Sequence, residues 1–114
     1  MDAERFRILA LGFPHAQESS HFDAADFRVG GKIFATLRTT DNRAVLKLSP
    51  DEQRLRMETA ADMFEPVKGF WGQKGWTRVI LDAADEATVR HAMATAWRSV
   101  APKRLQGHSP DMKP

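Results

Sequence analysis

A basic, aromatic stretch from Pro66 to Arg78 is the segment whose composition points most directly to binding chemistry. It interleaves three aromatic residues and three cations with three glycines, and it contains no acid: Phe70, Trp71, Trp76, Lys68, Lys74 and Arg78. Cations bind phosphate and flat rings stack on bases or sugars, so this pairing is typical of surfaces that bind nucleic acid. Two other interpretations stay open, because the rings can also pack inward or dock on another protein.

A second basic group is predicted at the tip of a hairpin. The four-residue turn at residues 39–42 gives three cross-strand pairs on one face, namely Arg38/Arg43, Thr36/Val45 and Phe34/Lys47. Like charges directly across a ladder are destabilising, so an anion between Arg38 and Arg43 would relieve their repulsion. Alternatively, both side chains extend into solvent and Asp41 partly neutralises the tip.

Metal and catalytic patterns are weak in this chain. His15, Glu18 and His21 have an H-x2-E-x2-H spacing, but it differs from the i, i+4 histidine pair of a helical zinc site and lies outside the predicted helices. The Gly30-Gly31-Lys32 sequence lacks the rest of a phosphate-binding loop and reads as a hairpin turn. There is no Cys or Tyr and no convincing Ser/His/Asp set. We therefore expect no metal, no cofactor and no catalytic residue.

The composition fits one domain that needs no covalent or metal crosslink. The chain has 114 residues, 42% of them hydrophobic, a formal net charge of +2 and no Cys, which excludes disulfide scaffolds, thiolate zinc sites and iron–sulfur clusters. No apolar run approaches the roughly 20 residues of a membrane span, and the first residues lack a signal-peptide core. We expect a single domain over residues 1–104, a flexible tail over 105–114, a cytoplasmic location and no membrane contact.

The elements that must position these residues follow from helix caps and strand periodicity. Helices are predicted from Asp2 to Leu11, from Ser49 to about Ala61, and after Asp85, where an apolar stripe recurs at helical spacing. Strands are predicted at 27–29, 32–38, 43–48 and 76–81, with a further short one near Phe22. Residues 15–20 are expected to be a polar connection, and 64–75 to be irregular. The pattern indicates an α+β fold: an antiparallel sheet with helices packed on one face.

Four short segments occur in an order that is itself informative: DFRVGGKIFA at 26–35, LKLSP at 46–50, GWTRV at 75–79 and AWRSVAPK at 96–103. Together they resemble the MmcQ/YjbR family of small bacterial proteins, over about Glu4 to Leu105. This resemblance implies a frataxin-like α+β fold and DNA binding by a double wing.

Carried onto this sequence, the resemblance makes the hairpin at 39–42, with Arg38 and Arg43, and the loop from Lys68 to Trp76 the two candidate wings. The loop is richer in Gly and Trp than is usual for the family. A frataxin-like fold also raises iron binding, but the acids of the first helix alternate with arginines, which disfavours capture of a hard cation.

The leading hypothesis from the sequence is a non-enzymatic DNA-binding domain. Its predicted phosphate contacts are Arg38, Arg43, Lys47, Lys68, Lys74 and Arg78. Its predicted stacking rings are Phe34, Trp71 and Trp76. The alternative is a protein-interaction or regulatory adaptor that docks through the aromatic loop. An enzyme or small-ligand protein would require a concave pocket on the open face of the sheet.

Overall fold

Four α-helices and six β-strands make up residues 1–106, the part of the chain that this computed structural model describes. The helices are α1 (Ala3–Leu11), α2 (Pro50–Thr59), α3 (Phe70–Gln73) and α4 (Glu86–Val100). The strands are β1 (Gln17–His21), β2 (Ala24–Val29), β3 (Lys32–Arg38), β4 (Arg43–Lys47), β5 (Phe64–Pro66) and β6 (Trp76–Val79). Within these residues, no helix combines the length and the apolar character needed to cross a membrane.

The six strands form one antiparallel sheet in the order β1-β2-β3-β4-β6-β5. In the β3–β4 hairpin, Ala35 pairs with Leu46 and Arg38 pairs with Arg43, so the predicted register is confirmed there. Strand β6 lies between β4 and β5, and it pairs Trp76 with Lys47. The predicted α+β class with an antiparallel sheet is therefore confirmed.

The core lies between one face of this sheet and the helices. Helices α1 and α4 pack across β3 and β4, and α2 joins the same side, where Gln53 contacts the Thr77 hydroxyl. The largest fully buried side chains include Trp97, Phe6, Phe27, Phe34, Phe64, Leu46, Leu48 and Met93. Full burial of one such side chain contributes about 1.5–3 kcal/mol, so this covered face supplies most of the fold's hydrophobic stabilisation.

The three predicted helix caps are all present. The Asp2 side chain accepts a hydrogen bond from the Arg5 amide at 2.8 Å, and the Asp85 side chain accepts one from the Thr88 amide at 2.8 Å. Ser49 does the same for the amide of Glu52, and Pro50 opens α2. Each cap pairs an amide that the first helical turn leaves without a partner, which explains why the helices begin at these residues.

A β-bulge in β3 corrects the prediction for Phe34. Phe27 pairs with Ala35 and Arg28 pairs with Ile33, so Phe34 is an extra residue opposite β2. Since a bulge turns two neighbouring side chains toward one face, Phe34 and Ala35 are both fully buried. The Phe34 ring contacts Phe13 edge-on, with centroids 6.1 Å apart. Phe34 is therefore a core residue and not a stacking ring on the open face.

Two further regions differ from the prediction. Residues 17–21 form β1, although all five are polar, because pairing with β2 satisfies their backbone groups at the sheet edge. The segment expected to be irregular contains β5 and α3.

The last described residues, Leu105 and Gln106, pack on the domain. Leu105 is buried, and the Gln106 side-chain amide donates to the carbonyls of Arg98 and Ala101. The rest of the predicted tail, 107–114, lies outside the described residues.

Candidate nucleic-acid interface

The open face of the sheet is the side opposite α1, α2 and α4. Alternation along the strands assigns to it the side chains of Thr36, Arg38, Arg43, Val45, Lys47, Trp76 and Arg78. In one cross-strand row, Val45 lies between Thr36 and Arg78; in the next, Lys47 lies beside Trp76. The predicted contact residues of the sheet strands, apart from Phe34, thus share one surface.

The hairpin tip, residues 38–43, neutralises one of its two arginines internally. The Arg38 guanidinium donates to both carboxylate oxygens of Asp41, at 2.8 and 2.6 Å. These hydrogen bonds hold the pKa of the Asp41 carboxyl below its ordinary value. The Thr40 hydroxyl donates to Asp23 at 2.6 Å, which ties the tip to the β1–β2 turn. Arg38 is therefore engaged by an internal anion, and an external phosphate would have to displace or share it.

Arg43 differs from Arg38, although the two are cross-strand partners. Its side chain is half-buried, and it makes no hydrogen bond or salt bridge among the residues that the structure describes. It acts on Asp41 only through its charge, which also lowers the pKa of that carboxyl. Arg43 is therefore the arginine of the open face with donors available to a ligand.

Lys47 and Arg78 are held by local contacts. The Lys47 ammonium donates to the carbonyls of Leu48 and Lys74, both at 3.2 Å. Partial burial lowers the pKa of Lys47, and the charge of Lys74 lowers it further. Arg78 forms an ion pair with Glu65 at 3.3 Å. Lys47 therefore joins β4 to the loop that follows β5, and Arg78 joins β6 to β5.

The aromatic loop, residues 67–75, is fixed by close backbone packing. A β-carbon at Gly72 would lie 1.8 Å from the Val67 carbonyl oxygen, and one at Gly75 would lie 2.0 Å from that of Leu48. The Gln53 side-chain amide of α2 lies 3.1 Å from the carbonyl oxygens of both Gly72 and Trp76. The glycines thus permit close packing here, and the loop presents its side chains from a pinned backbone.

The exposed rings of this loop form a series of edge-to-face contacts. Phe70 is 61% and Trp71 is 59% exposed, and their centroids are 5.6 Å apart. Trp71 then meets Trp76 at 6.2 Å with perpendicular planes. Ammonium groups lie over the two end rings: Lys74 is 5.2 Å from the centroid of Phe70, and Lys47 is 5.7 Å from that of Trp76. Lys68, two residues before Phe70 in the chain, is exposed as well.

Two cavities indent the open face. One of about 300 Å³ is lined by Thr36, Arg43, Val45, Val67, Trp71 and Trp76. The other, of about 440 Å³, includes Ser19, His21, Asp26, Thr36, Arg38 and Arg43 in its lining. Since Arg43 and Thr36 line both, the cavities adjoin at the middle of the sheet. The open face is therefore concave as well as basic.

The weak histidine pattern of the N-terminal region does not assemble a site. Glu18 and His21 lie three residues apart in β1, so their side chains fall on opposite faces of the sheet. Glu18 pairs with Arg7 of α1 at 2.8 Å, which holds the pKa of that carboxyl below its ordinary value. Over residues 1–106, no three His, Asp or Glu side chains are grouped so that they could hold a metal ion.

Sequence reasoning missed two residues that matter to this surface. Phe70 was noted in the aromatic stretch but was not predicted as a contact, although it is as exposed as Trp71. Its position directly before Trp71 could have indicated a two-ring unit. Gln53 gave no usable signal, because a polar residue in a polar helix has no pattern that reveals a contact 19 positions away.

Fold and surface together define a small α+β protein with helices on one face of a six-stranded antiparallel sheet and a basic, aromatic surface on the other. A family model described as YjbR matches residues 11–99. The chain therefore belongs to the YjbR family.

The structural comparison agrees with this assignment. The crystal structure of Deinococcus radiodurans protein DR2400, described as a DUF419 family-model domain, has a similar fold with a TM-score of 0.73. The two chains are 20% identical, and the match covers 90% of this chain and 80% of that one, so the likeness concerns the fold. No curated protein matches the chain.

Proposed function

We propose that this protein is a non-enzymatic DNA-binding protein that uses the aromatic loop as its main contact and Arg43 as the adjoining phosphate contact. The observation that carries the proposal is the pair of exposed rings, Phe70 and Trp71, between Lys68 and Lys74. No acidic residue occurs from Pro66 to Leu81. Stacking rings beside uncompensated cations are what a polyanion with flat bases requires.

The internal contacts of the predicted residues support a ranking among them. Arg38 and Arg78 are paired with acids, Lys47 donates to main-chain carbonyls, and Phe34 is in the core. Arg38 and Arg78 are expected to contribute less to affinity than Arg43, Lys68 and Lys74, because the carboxylates beside them offset their charge. The proposed interface is thus centred on the loop, with the hairpin tip at its margin.

A salt titration tests the proposal. Fluorescently labelled DNA, single- and double-stranded, is titrated with the protein at two salt concentrations, and we expect affinity to fall steeply as salt rises. Replacing Lys68 and Lys74 together by Gln is expected to weaken binding about tenfold and to reduce the salt slope by about 1 to 2. The matched control replaces Lys103 and Arg104, two exposed cations after α4. Equal losses in both variants would contradict an interface at the loop.

A protein-docking function is the second candidate, because Phe70 and Trp71 are adjacent, exposed and of the types that form interface hot spots. Absence of DNA binding at low salt by the folded protein would favour it. So would a salt-insensitive protein complex that Trp71→Ala abolishes and Arg43→Ala leaves intact.

A further inference from the structure

Val45 is unexpectedly well buried for a residue on the open face of the sheet. It lies in the middle of the solvent side of the sheet, yet it is only 3% exposed. Its cross-strand neighbours on this face are Thr36 of β3 and Arg78 of β6, and Trp76 lies diagonally from it on β6. Val45 lines the cavity of about 300 Å³ together with Trp71 and Trp76.

The shape of this cavity suits one flat ring. The planes of Trp71 and Trp76 are perpendicular, with centroids 6.2 Å apart, so they form a corner. An incoming ring can stack on one indole and meet the other edge-on, which are the two favourable aromatic geometries. The volume is at the small end of the range for ligand sites, which is about 300 to 1,000 Å³. A single ring system therefore fits this volume.

The cations around the cavity indicate which chemical group the bound ring should carry. Arg43 lines both this cavity and the adjoining one. It makes no hydrogen bond among the described residues and can present its planar donors to an oxyanion. Lys68 and Lys74 add positive charge on the loop beside the aromatic cavity. Apolar walls with one free arginine and nearby lysines match a flat ring attached to a phosphate chain.

We propose that this cavity holds one unpaired nucleotide of single-stranded DNA, with its base against Trp71 and Trp76 and a neighbouring phosphate at Arg43. The inference rests on the proposed function and makes it specific. In duplex DNA the bases are stacked on one another, so a base can enter this corner only after it leaves the helix, which costs free energy. The open face therefore prefers single strands to duplex.

The test compares three DNA probes on the full chain by fluorescence anisotropy at low salt: an oligothymidylate, a duplex of the same length, and an abasic deoxyribose-phosphate strand. We expect the single strand to bind roughly tenfold more tightly than either other probe, because only it offers bases that can stack. Trp71→Ala is expected to lower affinity for the single strand by roughly tenfold or more and affinity for the duplex by far less.

Matched variants distinguish binding in the cavity from binding by the aromatic loop as a whole. Phe70→Ala removes an equally exposed ring that does not line the cavity, so it should cost less single-strand affinity than Trp71→Ala. Trp71→Phe keeps an aromatic wall and should restore part of the loss. Thermal unfolding of each variant establishes that it is folded.

Two outcomes overturn the inference in different ways. If the duplex or the abasic strand binds as tightly as the oligothymidylate, or if Trp71→Ala has no larger effect than Phe70→Ala, the cavity does not take a base. DNA binding as such then stands. If none of the probes binds at low salt, the proposed function fails and this inference fails with it.

Discussion

The hairpin tip and the aromatic loop are the two basic segments of the open face, and they are built in opposite ways. At the tip, one of the two arginines is matched internally: Arg38 forms two hydrogen bonds with Asp41, and Thr40 donates to Asp23. In the loop, the backbone is fixed by close packing at Gly72 and Gly75, while rings and ammonium groups are left at the surface.

This difference shows that two basic segments on the same face can have different roles. A cation held by a neighbouring carboxylate contributes little net attraction for a second anion, whereas a loop with a fixed backbone presents its rings with little further loss of backbone entropy on binding. The loop and the adjoining Arg43 are therefore suited to a ligand, and the pair of Arg38 and Asp41 is suited to keeping the β3–β4 turn in place.

The largest effect is expected on the stability of Gly72→Ala. This variant tests whether the backbone of the aromatic loop is held by close packing. The added β-carbon would lie 1.8 Å from the main-chain oxygen of Val67, so the loop must move. We expect a loss of about 2–4 kcal/mol in the free energy of unfolding and a fall in Tm of about 10 °C or more. Thermal unfolding followed by circular dichroism measures both.

Gln73→Ala is the matched control, because this residue is the next in the chain and its side chain is exposed. Its stability should stay within about 0.5 kcal/mol of the wild type. If Gly72→Ala were equally mild, the loop would be plastic and the contrast with the hairpin tip would disappear.

A smaller effect is expected from Gln53→Ala, which removes the anchor of the loop on α2. Its side-chain amide is within 3.1 Å of two main-chain oxygens and of the Thr77 hydroxyl, and the residue is only 9% exposed. Leaving buried acceptors without a donor costs about 1–3 kcal/mol. Hydrogen exchange should show faster exchange of the loop amides, measured against Glu58→Ala, an exposed residue of the same helix. Unchanged loop protection would contradict the anchoring role.

A third experiment compares the paired and the unpaired arginine of the hairpin tip in DNA binding. Removing Arg38 and Asp41 together deletes the internal pair without changing net charge, and we expect affinity to stay within about twofold. Arg43→Ala removes one uncompensated phosphate contact, which should weaken binding about three- to tenfold and reduce the salt slope by about 0.7 to 0.9. A loss in the double variant as large as in Arg43→Ala would show that Arg38, although paired with Asp41, contributes to DNA binding as much as Arg43 does.

Local signals in the sequence predicted much of the fold because they act over a few residues. The caps at Asp2, Ser49 and Asp85 and the alternation along β3 and β4 were sufficient to place helices and strands correctly. They failed for β1, whose polar residues have no periodicity and which joins the sheet by pairing with β2, and for β5 and α3.

The site was less predictable, because its properties depend on contacts between distant segments. The pairing of Arg38 with Asp41 is local and was anticipated as one of two alternatives. By contrast, a bulge inside β3 took Phe34 out of the surface, and no residue pattern marks that bulge. The pinning of the loop by Gln53 likewise joins residues that only the folded chain brings together.

The smallest expected effect is on the pKa of Asp41, which reports whether the Arg38 guanidinium is committed to the ion pair with this carboxylate. Hydrogen bonds from Arg38 hold its pKa below the ordinary value of 3.8, so Arg38→Ala should raise the pKa toward 3.8. Because the folded-state pKa is the lower one, the pairing stabilises the protein above the unfolded-state pKa. That stabilisation is lost as the pH falls through the folded-state value.

Carboxyl-carbon NMR shifts of Asp41, followed through the acid range, measure this change. Thr40→Ala serves as the control, since it removes the contact with Asp23 and leaves the pair of Arg38 and Asp41 in place. If the pKa of Asp41 is the same in Arg38→Ala as in the wild type, the guanidinium is not committed to the carboxylate. Arg38 would then be as available to a phosphate as Arg43, and the two halves of the open face would have to be treated as one binding surface.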